Sequence, residues 1–455
     1  MDSAYDVRVW AIQTRYKTEG SKKKPLRYVV RWMVSGERFQ RSYKIRAQAD
    51  SFRSELLAAA RNGELFDTLT GIPRAKLRTT KRMTWFEFAC AYVDSKWQDS
   101  APKSRKSTAD NLIAITRALL AGRPGEPDRK LIGSALRHAF NTNERKKAPN
   151  TDVRSALRWI EGAAPSVARL AEPAELRSLL SALDQKHDGG LCAPDTIRLR
   201  RTTLRNALDY AVELSLLDTN PITEIKTRKH KTTLREVDRR SVANPVQART
   251  LLLAMREINP RLTAFFGVMY YAALRPEEAV NLRRENLSLP GDGWGELHLE
   301  RAAPEVGAEW TDSDSRTEER SLKHRHTGVG RTVPCAPELS TLLREHLRAN
   351  GTAADGRLFR AMRSDGPLSS TVYGRAWATA RTATFTPDVL ASPLAKRPYD
   401  LRHAAVSTWL NATGDPTRVA EWAGHTVSVL LRVYARCLDG GEQDARKKVA
   451  DRLRG

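Results

Sequence analysis

Two short basic stretches without apolar periodicity, residues 76–81 and 226–243, cut this chain into segments that must fold around separate cores. A run with no apolar stripe cannot be threaded through one hydrophobic interior, and 455 residues exceed what one core usually serves. The expected units are 1–75, 82–225 and 244–455, with 226–243 as an extended basic linker.

The first unit reads as strand, strand, strand, helix. Val7–Ile12 and Arg27–Trp32 alternate, and a turn at Ser35-Gly36 leads into Arg38–Tyr43. Arg46–Asn62 then follows helical spacing, with Ala49, Phe52, Leu56 and Ala60 near one face and Gly63 as its stop. The second unit reads as a helical bundle. Its runs are a helix capped by Thr84, then Thr108–Leu120, Asp152–Ile160 and Asp195–Leu217, closed by Asn220-Pro221. In the last run Arg198, Arg200 and Arg201 interleave with Leu204, Ala207 and Leu208, which gives the bundle a basic face. The third unit mixes helices with short strands.

Charge narrows the class of partner. The 77 Lys and Arg outnumber the 53 Asp and Glu, a formal net charge of +24, and residues 1–75 hold 15 basic against 8 acidic side chains. An excess of this size favours a polyanion, because each phosphate neutralised releases counterions. The basic candidates for DNA contact are Arg198, Arg200 and Arg201 on the bundle and Lys226, Arg228, Lys229 and Lys231 in the linker. No apolar run reaches the ~18 residues that span a bilayer. The opening MDSAYDVRVW lacks the basic-then-apolar order of a secretory signal. Cys90, Cys192, Cys335 and Cys437 are scattered, as suits reduced thiols. The expected location is the cytoplasm.

Three short motifs in the third unit carry chemistry. The first is Arg275-Pro276-Glu277-Glu278 after the apolar helix Leu262–Leu274. Pro276 suits a helix's first turn and puts Arg275 at its start, with Glu278 near enough to brace the guanidinium. A braced guanidinium is a two-pronged phosphate ligand. The second is Tyr399-Asp400-Leu401-Arg402-His403, which places Tyr399 and Arg402 on one helix face. The third is Gly424-His425-Thr426, a helix stop and a new cap, followed nine residues after His425 by Tyr434.

In this order the three motifs resemble those of the tyrosine recombinases, the phage-integrase family, and the wording around Arg402 is similar to integrases of actinobacterial phages and integrative plasmids. The resemblance implies that Arg275 and Arg402 clamp the scissile phosphate, that His425 contacts it and that Tyr434 is the nucleophile. It implies that Glu278 supports the first arginine and His403 packs beside the second. Tyr399 stands where the family most often has histidine, and a phenol is a poor base at neutral pH. The family's lysine, carried on a small sheet between the two arginines, is matched by Lys323. Strands at Glu296–Glu300 and Gly330–Pro334 flank it, and the polar insert 302–319 is atypical.

The implied fold is mainly α with small β-sheets (α+β): a three-stranded sheet plus helix as arm-type DNA-binding domain (1–75), a helical core-binding domain (82–225) and a mixed catalytic domain with a tail (244–455). The implied activity is strand cleavage and rejoining through a 3′-phosphotyrosine, integrating and excising a mobile element. The implied partners are duplex attachment sites, a homotetramer, a directionality factor and a host DNA-bending protein. No cofactor is expected. The chain has no GxxxxGK[ST] loop, and His324, His326 and Cys335 lack a fourth metal ligand. Two other readings stay open: a non-catalytic DNA-binding regulator, and a type IB topoisomerase-like strand transferase.

Overall fold

The computed structural model describes residues 3–19, 22–73, 83–186, 188–225, 237–313, 315–323, 328–434 and 442–454. The chain divides into two units, one of residues 1–100 with 107–229, the other of residues 101–106 with 230–455.

The first unit opens with an antiparallel sheet: β1 (Val7–Val9), β2 (Gln13–Glu19), β3 (Lys22–Val34) and β4 (Glu37–Tyr43). Strand β3 pairs with all three others. The sheet therefore has four strands, not the three that the sequence predicts. The missed strand, QTRYKTE, has almost no apolar residue to mark an alternation, and backbone pairing to β3 forms it. Helix α1 (Arg46–Arg61) covers one face, with Ala49, Phe52, Leu56 and Ala59 buried against Val30, Trp32 and Val34. The Trp32 indole N–H donates to the Gly71 carbonyl at 2.5 Å, and its ring stacks on Phe39 at 5.8 Å. Gly71 has φ +69°, and a Cβ there would lie 2.5 Å from the Phe39 ring. The other face carries Arg8, Arg15, Arg27, Arg31 and Arg38, all exposed. Arg15 stands directly opposite Arg27, and no carboxylate is register partner to any of the five. Facing like charges destabilise a sheet, so packing does not explain this surface.

The longer helices that follow are α2 (Trp85–Trp97), α3 (Pro102–Leu120, whose residues 102–106 count with the second unit), α4 (Arg129–Ala139), α5 (Thr151–Ala163), α6 (Pro173–Leu183) and α7 (Pro194–Glu213). Thr84 caps α2 as the sequence predicts, and Glu87 reciprocates by accepting the Thr84 backbone N–H. Leu204, Ala207, Leu208 and Ala211 form the buried stripe of α7. That helix stops at Glu213, short of the expected Leu217, because Ser215 turns to φ +58°. Asn220 instead caps the single turn Pro221–Glu224.

The second unit holds α8 (Pro245–Ile258), α9 (Pro260–Tyr271), α10 (Pro276–Val280), β5 (Leu287–Ser288), β6 (Gly295–Leu299), β7 (Arg301–Ala302), β8 (Arg320–Ser321) and β9 (Arg331–Cys335). Then follow α11 (Pro337–Asn350), α12 (Ser370–Thr384), α13 (Asp400–Thr413), α14 (Pro416–Ala423), α15 (Val427–Tyr434) and α16 (Glu442–Leu453). The sheet order is β9-β6-β5, antiparallel, and β7 pairs with β8. Helix α9 is buried through Leu262, Phe265, Phe266, Val268 and Met269 at the centre of the main core. The polar insert is folded too, around the buried Trp310. A second, smaller core joins α13, α14 and α15 through Ala405, Val406, Val419, Ala423, Leu430 and Tyr434. Val237 belongs to this core, and its N–H donates to the Val433 carbonyl at 3.0 Å. Among the described residues no helix is long and apolar enough to cross a membrane.

Candidate active site

Helix α9 ends in a reversal that aims Arg275. Ala272 closes the helix and Ala273 takes φ +49°, a left-handed turn that costs an L-residue about 1–2 kcal/mol. Arg275 is then the extended residue before Pro276 at the first position of α10. The Glu278 carboxylate accepts the Arg275 backbone N–H at 2.8 Å and its Nη1 at 2.8 Å. Arg275 Nη2 donates to the Gly424 carbonyl at 3.1 Å.

Arg331 is the residue that sequence reasoning missed. Its Nη1 and Nη2 donate to the two oxygens of Glu278, each at 2.8 Å, and its Nε donates to the Trp422 carbonyl at 3.1 Å. A signal existed. In β9 the inward positions are Arg331, Val333 and Cys335, so the arginine falls in phase with the apolar residues. Burial alone would push the Glu278 carboxyl up, but Arg331, Arg275 and Arg402 outweigh it and hold it well below the carboxylate range.

Arg402, fully buried on α13, ties the motifs together. Its Nη1 donates to the Ala273 carbonyl, and its Nη2 donates to the Ala423 carbonyl and to His425 Nε2 at 2.9 Å. Its Nε has no partner. Burial, then Arg275, pushes the guanidinium pKa down. His425 follows Gly424, whose φ of +64° ends α14, and Thr426 caps α15 by accepting from Val429, both as predicted. Burial, then Arg402 and Arg275, pushes His425 down to about 3. A guanidinium only donates, so His425 Nε2 accepts. The neutral ring then carries its proton on Nδ1, an unspent donor with no partner.

The nucleophile candidate, Tyr434, ends α15 and is buried. Its hydroxyl lies 2.9 Å from His403 Nδ1, and its ring stacks beside His425 at 6.1 Å between centroids. Burial pushes His403 down to about 4, with Arg397 and Arg402 acting the same way and Asp400 opposing. Tyr399 packs edge-on to His403 at 5.1 Å and acts electrostatically on Arg275 and Arg402.

The structure thus brings Arg275, Glu278, Tyr399, Arg402, His403, His425 and Tyr434 together and adds Arg331. Lys323 is exposed, just past β8, and no hydrogen bond joins it to this group. On α7 the predicted basic face divides. Arg201 Nη2 donates to both carboxylate oxygens of Asp184, at 2.7 and 3.0 Å. Arg200 donates to the Leu183 carbonyl at 2.9 Å. Arg198 stays exposed, 3.4 Å from Asp195. Lys226, Arg228, Lys229, Lys231, His324, His326 and Cys437 lie outside the described residues. Among the described residues no group of three or more His, Cys, Asp or Glu could hold a metal ion.

No family model and no curated protein sequence matches this chain. Solved structures do. The Tn1549 transposon integrase, in complex with a circular intermediate DNA, matches with a TM-score of 0.47 and 14% identity, over 71% of this chain and 98% of that one. The XerH site-specific recombinase bound to difH substrate matches with a TM-score of 0.42 and 13% identity, over 76% and 96%. A lambda integrase dimer bound to a COC′ core site matches with a TM-score of 0.45 and 15% identity, over 89% and 92%. What the site can do is decided by its own groups.

Proposed function

We propose that this chain is a site-specific DNA recombinase that cuts and rejoins strands through a covalent bond between Tyr434 and a backbone phosphate. The observation that carries the reading is the charge of the buried cluster. Three guanidiniums, Arg275, Arg331 and Arg402, face one carboxylate, Glu278, which leaves two positive charges beside a tyrosine hydroxyl. Attack on a phosphodiester builds two negative charges at the phosphorus. Donors fixed in advance around that charge are the largest single source of rate.

In this reading Arg275 and Arg402 hold the non-bridging oxygens and the His425 Nδ1–H adds a neutral hydrogen bond. The Tyr434 hydroxyl oxygen attacks phosphorus and the bond to the 5′ oxygen breaks, leaving a 3′-phosphotyrosine and a free 5′ hydroxyl. Lys323 supplies the proton to the departing oxygen. The 5′ hydroxyl of a partner strand then displaces Tyr434. One phosphoester replaces another at each step, so no nucleotide is consumed.

The same reading gives the rest of the chain its work. Residues 1–75 bind separate arm sites through the arginine face of the sheet. Residues 82–225, with Arg198, grip the core duplex, and 226–243, with Lys226, Arg228, Lys229 and Lys231, cross it as a basic strap. The protein acts as a homotetramer in the cytoplasm, on the nucleoid. It integrates and excises a mobile element of phage or plasmid type, with a directionality factor and a DNA-bending protein as partners.

The test is covalent capture. Nicked duplexes made from the DNA flanking the gene are incubated with the full-length protein, denatured, and searched for protein–DNA adducts. Adducts that vanish in Tyr434→Phe support the reading. Duplexes bound tightly without any adduct overturn it.

A further inference from the structure

We propose that His403 is the catalytic base that takes the proton from the Tyr434 hydroxyl. The inference rests on the recombinase reading above and deepens it. The His403 Nδ1 to Tyr434 Oη distance of 2.9 Å is a hydrogen bond to the reacting atom itself.

Among the described residues, the other candidate bases near Tyr434 are already engaged. His425 Nε2 already accepts from Arg402, so the neutral ring has only an N–H to offer. Both oxygens of Glu278 are taken by Arg331 and Arg275. Asp400 is buried against Arg397, whose Nη2 lies 2.9 Å from Oδ1 and whose backbone N–H lies 2.8 Å from Oδ2. Tyr399 packs on His403 as a T-shaped ring pair at 5.1 Å, and a phenol is a poor base at neutral pH. Arg402 is a donor only.

The charges facing His403 come from several elements. Tyr399, Asp400 and Arg402 stand on or beside its own helix α13, with Arg397 just before it. Tyr434 comes from α15 and His425 from the turn that precedes it. Burial and the two arginines keep the ring neutral at physiological pH, so its lone pair is available. A phosphodiester on Arg402 cancels part of the charge that depresses the ring, and the second negative charge formed during attack raises its basicity further. The imidazole is therefore most basic at the moment the proton must leave. As the P–Oη bond forms, the phenolic proton passes to Nδ1 and gives an imidazolium. The P–O5′ bond breaks and O5′ takes its proton from a separate donor, Lys323. In the return step the attacking 5′ hydroxyl gives its proton to the now neutral Lys323, and the imidazolium gives its proton back to Oη as the P–Oη bond breaks.

The experiment uses the full-length protein and a nicked duplex that the wild type captures, made also with sulfur in place of the bridging 5′ oxygen. A thiolate leaves without a proton, so sulfur bypasses the donor but not the base. His403→Asn, which keeps an acceptor but cannot hold the proton, is expected to bind the duplex normally and form adduct about 10²–10⁴ times more slowly. Sulfur is expected to leave that defect in place while restoring Lys323→Ala. His403→Ala, which opens a cavity, is expected to regain adduct in proportion to free-base imidazole. Wild-type rates in His403→Asn, rescue of His403→Asn by sulfur, or no response to imidazole by a duplex-binding His403→Ala would each overturn the assignment. A wild type that binds but never forms adduct is a different result, and removes the recombinase reading itself.

Discussion

Arg331 and Glu278 meet as a two-pronged ion pair, Nη1 to Oε1 and Nη2 to Oε2 at 2.8 Å each, with both side chains almost wholly out of water. Arg275 shares the same carboxylate from the other side. Glu278→Gln leaves two buried guanidiniums without their counter-charge. It is expected to lower unfolding stability by about 3–5 kcal/mol in denaturant titration of the full chain. Arg331→Met keeps the Arg275–Glu278 pair and is expected to cost less. A larger loss in Arg331→Met than in Glu278→Gln would show that the hydrogen bond to the Trp422 carbonyl matters more than the charge.

Arg402 places three of its five N–H groups on the Ala273 and Ala423 carbonyls and on His425, and its Nε has no partner. Lysine keeps the charge but offers no fork. Arg402→Lys is expected to bind duplex DNA near normally and to form adduct about 10²–10³ times more slowly. Single-turnover adduct formation against a binding isotherm separates the two effects.

His403 and His425 titrate near 4 and 3 in the folded chain, against an ordinary value of about 6.5. Between those values the unfolded chain binds protons that the folded chain does not, so stability rises with pH through this window. Acidification from about pH 7 toward 4 is expected to destabilise the second unit. His403→Asn and His425→Asn should each flatten that slope in denaturant midpoints measured across the range. An unchanged slope in both would mean that other groups set it.

Gly71 lets its backbone lie close against both Phe39 and Trp32 at positive φ. Gly71→Ala adds a methyl group where no room exists and where the backbone disfavours it. The expected loss is about 1–3 kcal/mol, confined to the amino-terminal sheet. Hydrogen exchange is expected to quicken across residues 22–43 and to stay unchanged in α9 and α13.

The arginine face of that sheet predicts a salt signature. Arg31→Gln with Arg38→Gln is expected to reduce the slope of log affinity against log salt by up to about 1.8, near 0.9 for each phosphate no longer neutralised. Adduct formation on a short core duplex should be unaffected. An unchanged slope would remove the arm-site reading of residues 1–75.

What is legible in the sequence is local. Arg275 before Pro276, Gly424 as a helix stop and Thr426 as a cap are statements about a few neighbouring residues, and the structure has them so. Helical periodicity places Arg198, Arg200 and Arg201 on a polar face. It cannot reveal that Asp184 and the Leu183 carbonyl, from another helix end, wait for two of them. His403 reads as a packing residue because spacing along α13 says nothing of what α15 brings to it. Arg331 is hidden for the same reason: its partner is 53 residues away. Strand β2 is invisible because a ladder of backbone bonds needs no particular side chains.

Val237 bonds its amide to the carbonyl just before Tyr434, and its side chain shares that residue's core. The last turn of α15 is thus fastened from outside the helix, by a residue that precedes all three motifs in the chain. Loss of that fastening would be felt first by the turn of helix that carries the Tyr434 hydroxyl.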